Sequence, residues 1–177
     1  MFEKTEQKSK SATSYLFYLY FSSNIIYNGS EVKQMNVLIS ACLLGCKCRY
    51  DGKDKNTIDI TKLKEKYTLF PICPELDGGL GVPREPAEIK EKRVINRKGI
   101  DVTKEYTKGA EIALETALKN NCTVAILKAR SPSCGKGEIY DGSFTKTLIN
   151  GDGITVRVLK EAGIRIYTEN EIDMITE

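Results

Sequence analysis

"SACLLGCKCRYDG", residues 40–52, carries three cysteines, Cys42, Cys46 and Cys48, just after a short apolar run. Cysteines so placed can be a metal site, a redox pair, a disulfide staple or ordinary buried thiols. Three more, Cys73, Cys122 and Cys134, lie far along the chain, and histidine is absent from all 177 residues. That absence excludes Ser-His-Asp and Cys-His catalytic couples, which need imidazole to take the nucleophile's proton. It also excludes histidine-containing zinc sites. No Walker-type phosphate loop occurs, and no GxGxxG opens a helix. Chemistry must come from Cys, Asp, Glu, Lys, Arg, Ser, Thr or Tyr, or from a bound cofactor.

Which cysteines can act together depends on the elements that position them. "NVLISA" (36–41) is a continuous apolar run with β-branched residues and predicts a buried strand. "DITKLKEKY" predicts a helix capped by Asp59 or Thr61. "TLFPI" (68–72) predicts a short strand whose Pro71 marks its end or an edge position. "KRVINRKGIDVT" alternates around an Arg-Lys-Gly turn and predicts a hairpin. Residues 103–120 place Ile112, Ala113, Ala117 and Leu118 at helical spacing. "TVAILKA" (123–129) predicts the central strand, "GDGITVRVLKEAG" a helix closed by Gly163, and "IRIYT" (164–168) a last strand.

This alternation implies a small three-layer α/β domain, Rossmann or flavodoxin-like, with a mainly parallel sheet and a hairpin insertion. Ligands of such sheets sit beyond the carboxyl ends of the strands. Cys42 follows the first strand, Cys73 the second, and Cys134 lies in "KARSPSCGKG" after the third. Three sequence-distant thiols therefore converge on one edge. Cys122 precedes its strand, at the opposite edge, and reads as a small buried hydrophobe.

Three convergent thiolates suit an iron–sulfur cluster with one iron left open to an outside ligand, where it can act as a Lewis acid. Cys46 or Cys48 could add a fourth thiolate and close the cluster into an electron carrier or structural centre. Zinc and reduced, unliganded thiols remain open alternatives. The neighbouring residues favour an active site. "CPELDGGLGVPREPAEI" (73–89) has glycines where backbone can approach a ligand closely, with Glu75, Arg84 and Glu88 for polar contacts. "KARSPSCG" supplies Lys128, Arg130, Ser131 and Ser133 beside Cys134.

Composition is that of one globular domain with a sizeable core, at 41% hydrophobic and 29% charged residues. A net charge of +3, with both signs interspersed, does not indicate nucleic acid as a partner. Six cysteines in a chain with a full-size core and no convincing export signal point to a reducing cytoplasm. Residues 1–35 differ from the rest. Their Lys-bearing start and "YLFYLYFSSNIIY" are too short to span a bilayer and lack a cleavage site. They are expected to be an N-terminal extension, non-native or flexible, or else an amphipathic docking segment. A single domain over 36–177 follows, with no membrane partner.

The blocks "ISACLLGCKCRYDG", "CPELDGGLGVPREPAEI", "LKARSPSCGKGEIYDGSF" and "GDGITVRVLKEAGIRIY" resemble the signature blocks of the thiouracil desulfidase family. The resemblance runs from Met35 to Tyr167. It implies a cytoplasmic enzyme whose [4Fe-4S] cluster is held by Cys42, Cys73 and Cys134. It further implies non-redox removal of sulfur from 2-thiouracil or a related thiolated base or nucleoside, giving uracil and sulfide. Placement then suggests Glu75 and Ser131 as the groups that activate water. Asp51, Arg84, Lys128 and Ser133 are expected at the polar edge of the base. Two other function classes are carried forward: a closed-cluster or zinc-stabilised carrier or structural module, and a metal-free hydrolase with a Cys or Lys nucleophile.

Overall fold

Alternation along single strands decides the layers. In β1 (Met35–Ser40), Val37 and Ile39 point to one side of the sheet and Leu38 to the other, and all three are fully buried. A strand buried on both faces belongs in the middle of a parallel sheet. The computed structural model, which describes residues 34–53 and 58–175, puts it there. The sheet order is β2 (Tyr67–Ile72), β1, β5 (Val124–Leu127), β8 (Arg165–Thr168), and every neighbouring pair is parallel. Pro71 lies on the edge strand β2, where its missing N–H leaves no hole in the ladder.

On one face Leu38, Ala125 and Leu127 pack against α3 (Thr103–Lys119) and α4 (Ile154–Glu161) through Ala113, Ala117, Val156 and Leu159. On the other face Val37, Ile39, Val124 and Ile126 pack against Leu43, in a 3-10 turn (Ala41–Leu44), and Leu63 of α1 (Ile60–Lys66). Asp59 caps α1, accepting from the N–H groups of Thr61 and Lys62. Gly163, at φ 79, closes α4 as its sequence suggested. A four-residue helix, α2 (Pro74–Asp77), follows β2 directly. Among the described residues no helix is long and apolar enough to cross a membrane. The expected extension lies, up to residue 33, outside the described residues.

Three details depart from the sequence-based expectation. The hairpin is made one strand earlier, from β3 (Ala87–Lys90) and β4 (Arg93–Asn96), turning at Glu91 and Lys92. The Arg-Lys-Gly turn exists but leads only to an isolated bridge between Ile95 and Asp101. Leu118 lies on the outer face of α3 at 61% exposure, because the buried stripe runs Tyr106, Gly109, Ala110, Ala113, Ala117. A second hairpin, β6 (Glu138–Tyr140) with β7 (Leu148–Asn150), was not anticipated, since three-residue strands carry too little periodicity to read.

Candidate active site

The carboxyl ends of β1, β2 and β5 open on one cavity of about 490 Å³. Cys42 reaches it from the 3-10 turn after β1, Cys73 from the N-cap position of α2, and Cys134 from the loop after β5. The three thiols named from sequence thus line one space. Cys48 lines it too, while Cys46 is exposed. Gly45, at φ 88, ends the 3-10 turn and redirects the chain so that Cys48 faces inward. All described cysteines are free.

The sulfurs are not equivalent. The Cys73 thiol donates to the Cys48 carbonyl at 3.7 Å, and the Cys48 sulfur stands between those of Cys42 and Cys73, closely enough to shift the proton affinities of Cys48 and Cys73. The neighbouring Cys42 side chain is the main reason the Cys48 thiol is pushed up to about 11, and the Cys48 side chain is the main reason Cys73 is held far above the usual thiol range. Cys134, 5% exposed, is pushed up to about 12 chiefly by burial, a rise that the neighbouring hydroxyl groups of Ser40 and Ser133 oppose. Ser40 is fixed for this role by the Lys128 N–H, which donates to its Oγ at 3.0 Å.

Beside the thiols stands one carboxylate with all its contacts specified. Arg84 donates to Glu75 Oε2 from Nε at 2.8 Å and from Nη2 at 2.6 Å. Ser131 Oγ donates to Glu75 Oε1 at 3.3 Å and itself accepts from the N–H groups of Ser133, at 3.1 Å, and Cys134, at 3.2 Å. With both amides pointing at its lone pairs, the Ser131 proton has Glu75 as its remaining direction. Tyr106, buried in α3, brings its hydroxyl beside Glu75, and burial with the nearby carboxylate keeps that phenol protonated. Backbone contact between α2 and α3 makes that reach possible. A Cβ on Gly109 would fall 1.8 Å from the Pro74 carbonyl oxygen, and one on Gly78 would fall 2.0 Å from that of Glu105. Only glycine permits the approach.

Of the other residues named from sequence, Lys128 lines the cavity and is ion-paired with Glu169. Arg84 lines it but is committed, to Glu75, to the Gly81 carbonyl at 3.1 Å and to the Cys48 carbonyl at 3.1 Å. Asp51 and Ser133 are not among the residues that line it. Asp51 accepts from Arg49 Nε and from the Lys53 N–H, both at 3.2 Å, so it organises its own loop. Ser133 is fully buried between Cys134 and Thr155, whose Oγ1 is 2.8 Å away. Sequence reasoning passed over Tyr106, Ser40 and Phe144 as site residues, and weighed Cys48 only as a fourth thiolate. Tyr106 sits in a helical apolar stripe and so reads as core, and Ser40 reads as the end of a strand.

What could four thiols and no imidazole hold? Among the described residues no three His, Cys, Asp or Glu side chains stand as ligands of a single ion. A zinc centre draws its ligands to about 2.0–2.3 Å from one point. A multi-iron cluster is a larger body and spreads its thiolates around itself, and soft sulfur donors select it. The donor set therefore fits an iron–sulfur cluster better than a mononuclear site.

Comparison with known proteins agrees with this chemistry. Residues 37–171 match the family model described as 2-thiouracil desulfurase. The "Uncharacterized protein YbbK" of Bacillus subtilis (strain 168) is 41% identical over 149 residues, covering 78% of this chain and 99% of its own. A solved structure described as [4Fe-4S]-dependent thiouracil desulfidase TudS (DUF523Vcz) superposes with a TM-score of 0.77 at 38% identity, over 80% of this chain and 95% of that one.

Proposed function

The chain belongs to the 2-thiouracil desulfurase family, and from that membership we propose that it is a [4Fe-4S]-dependent desulfidase of 2-thiouracil or a related thiolated base or nucleoside. The observation that carries the reading is the meeting of Cys42, Cys73 and Cys134 in one cavity with the Glu75–Ser131 pair. Those three thiols, as thiolates, would hold the cluster. When bound, a cluster with one iron free of protein ligands supplies a thiophilic Lewis acid that polarises a C=S bond.

The chain's own residues supply the rest. Glu75 takes a proton from water as that water adds to the thiocarbonyl carbon. Ser131 donates to Glu75 Oε1 and so holds the carboxylate oxygen that meets the water. Arg84 and Tyr106 fix the carboxylate so that it meets the water from one direction. Lys128, on the wall of the cavity, faces the polar edge of the base. Asp51 acts at one remove, through Arg49, and Ser133 through the Cys134 sulfur. The reaction balances without an electron donor: thiocarbonyl plus water gives carbonyl plus hydrogen sulfide. Free thiols throughout the described residues suit a reducing compartment, which supports a cytoplasmic location.

One observation favours a second reading. Cys48 lines the same cavity as Cys42, Cys73 and Cys134 and can complete a four-thiolate shell, which would make a closed electron-transfer or structural cluster. Anaerobic reconstitution separates the two. A desulfidase turns brown, changes its absorption on adding 2-thiouracil or sulfide, and releases uracil and sulfide over many turnovers. A cluster that loads fully yet ignores both additions and releases nothing would support the closed reading instead.

A further inference from the structure

One aromatic residue of the cavity wall is held in a conformation that packing does not call for. Phe144 lies in the loop 141–147 between β6 and β7, half-buried, with φ 60. A bulky residue in the left-handed region is a genuine outlier and needs its surroundings to keep it there. Phe144 belongs to none of the three apolar clusters, so the core gains nothing from the strain. Its loop is nevertheless tightly built. Glu88 of β3, 8% exposed, accepts on one oxygen the N–H of Gly142 at 3.0 Å and that of Phe144 at 2.9 Å. A Cβ on Gly142 would fall 2.9 Å from the Ile89 carbonyl oxygen, so the loop lies directly on β3. The Arg97 guanidinium stands over the Phe144 ring, 5.7 Å from its centroid, and both residues line the cavity that holds Glu75, Ser131 and Cys134.

A rigid, strained aromatic ring on the wall of a polar, thiol-lined cavity suits a flat ligand with a π-face. We infer that Phe144, backed by Arg97, is the platform on which the planar ring of the thiolated base stacks, and that Glu88 is the positioning residue that holds the platform in place. The inference rests on the desulfidase reading and adds how the ring is gripped. Stacking on one wall orients the ring while leaving its edges for polar groups.

Phe144→Leu keeps apolar bulk and removes the ring; Phe144→Tyr keeps the ring. With 2-thiouracil and the reconstituted holoprotein, Phe144→Leu should raise KM about 5–100-fold, the size of one lost base–aromatic stack, with kcat less affected. Phe144→Tyr should restore the wild-type KM. Equilibrium dialysis of 2-thiouracil should show the same weakening without reference to turnover, and iron content should equal wild type in both variants. Glu88→Ala should raise KM in the same direction, and combining it with Phe144→Leu should add little, because both remove one platform. An unchanged KM and dialysis constant in Phe144→Leu, or equal losses in the Leu and Tyr variants, would overturn the proposal. Wild-type protein that binds the base yet releases no sulfide would sink the desulfidase reading while dialysis still judged the platform. Wild-type protein that binds no base would sink both.

Discussion

Strand β5 has a buried cysteine beyond each of its ends. Cys122 precedes it and Cys134 follows it, and they are 4% and 5% exposed. Burial alone does not separate them. The Cys122 thiol is pushed up to about 11 by burial and by nothing else, and its nearest polar partner is the Asn120 carbonyl at 4.0 Å. Cys134 is pushed up more strongly by burial, yet the hydroxyl groups of Ser40 and Ser133 beside its sulfur oppose that rise. Donors aimed at a sulfur stabilise the thiolate, which is the form that binds metal. Two thiols of similar accessibility are thus prepared for opposite fates: one fills core, the other is readied for negative charge at the carboxyl edge of the sheet.

The widest separation of the two should come from removing each in turn. Cys134→Ala, like Cys42→Ser or Cys73→Ser, should abolish cluster loading and desulfuration, because two remaining thiolates leave the cluster underligated. Iron and acid-labile sulfide per chain after anaerobic reconstitution, with the visible absorption band, measure this. A Cys134→Ala protein with wild-type iron content would remove Cys134 from the ligand set and erase the contrast between the two ends of β5.

The next effect sharpens the carboxyl edge without touching its sulfurs. Glu75→Gln should keep the cluster and slow sulfide release by roughly 10²–10⁴-fold, the usual loss when general acid–base help goes. The substitution leaves Arg84 without its carboxylate partner, so a thermal melt belongs beside the kinetics. Turnover within a few-fold of wild type would show that the water is activated elsewhere.

These contrasts also mark how far the sequence could be read. β1 and β5 were legible because residues buried on both faces leave a continuous apolar run, and the carboxyl-end rule then placed Cys42, Cys73 and Cys134 together. The site was less legible where neighbours diverge by turn geometry alone. Ser131 and Ser133 are two residues apart, yet one faces Glu75 in the cavity and the other is sealed against Thr155. Cys46 and Cys48 show the same limit, since it takes the left-handed Gly45 to send one outward and the other inward. Tyr106 could not be picked out because a buried tyrosine on a helical stripe looks like core until Glu75 is seen beneath its hydroxyl. The β6–β7 hairpin that carries Phe144 was missed for want of length.

A smaller effect tests the thiol that sequence left without a role. Cys48→Ser should retain most of the iron, because Cys42, Cys73 and Cys134 remain. The substitution changes the polar group beside the Cys42 and Cys73 sulfurs, so modest shifts in the absorption band and a turnover change of a few-fold are expected. Iron loss as complete as in Cys42→Ser would instead make Cys48 a ligand and support the closed-cluster reading.

The smallest effect is expected at the other end of β5, and there it should appear as stability rather than chemistry. Cys122 packs in the same apolar cluster as Ala117, Ala125 and Ile164, away from the cavity. Cys122→Ala deletes one buried sulfur atom. The cost should be about 1 kcal/mol, that of a small core truncation. For a chain of 177 residues this lowers Tm by about 2–4 °C. Cys122→Ser should cost more, because a hydroxyl dislikes an apolar cluster more than a thiol does, and the Asn120 carbonyl is barely reached even by the longer C–S bond. Iron content, absorption and sulfide release per loaded cluster should match wild type in both variants. If Cys122→Ala lost iron while its melt was unchanged, the thiol would be serving the cluster from outside the cavity. Burial without sulfur-directed donors would then no longer mark a thiol as inert in this fold.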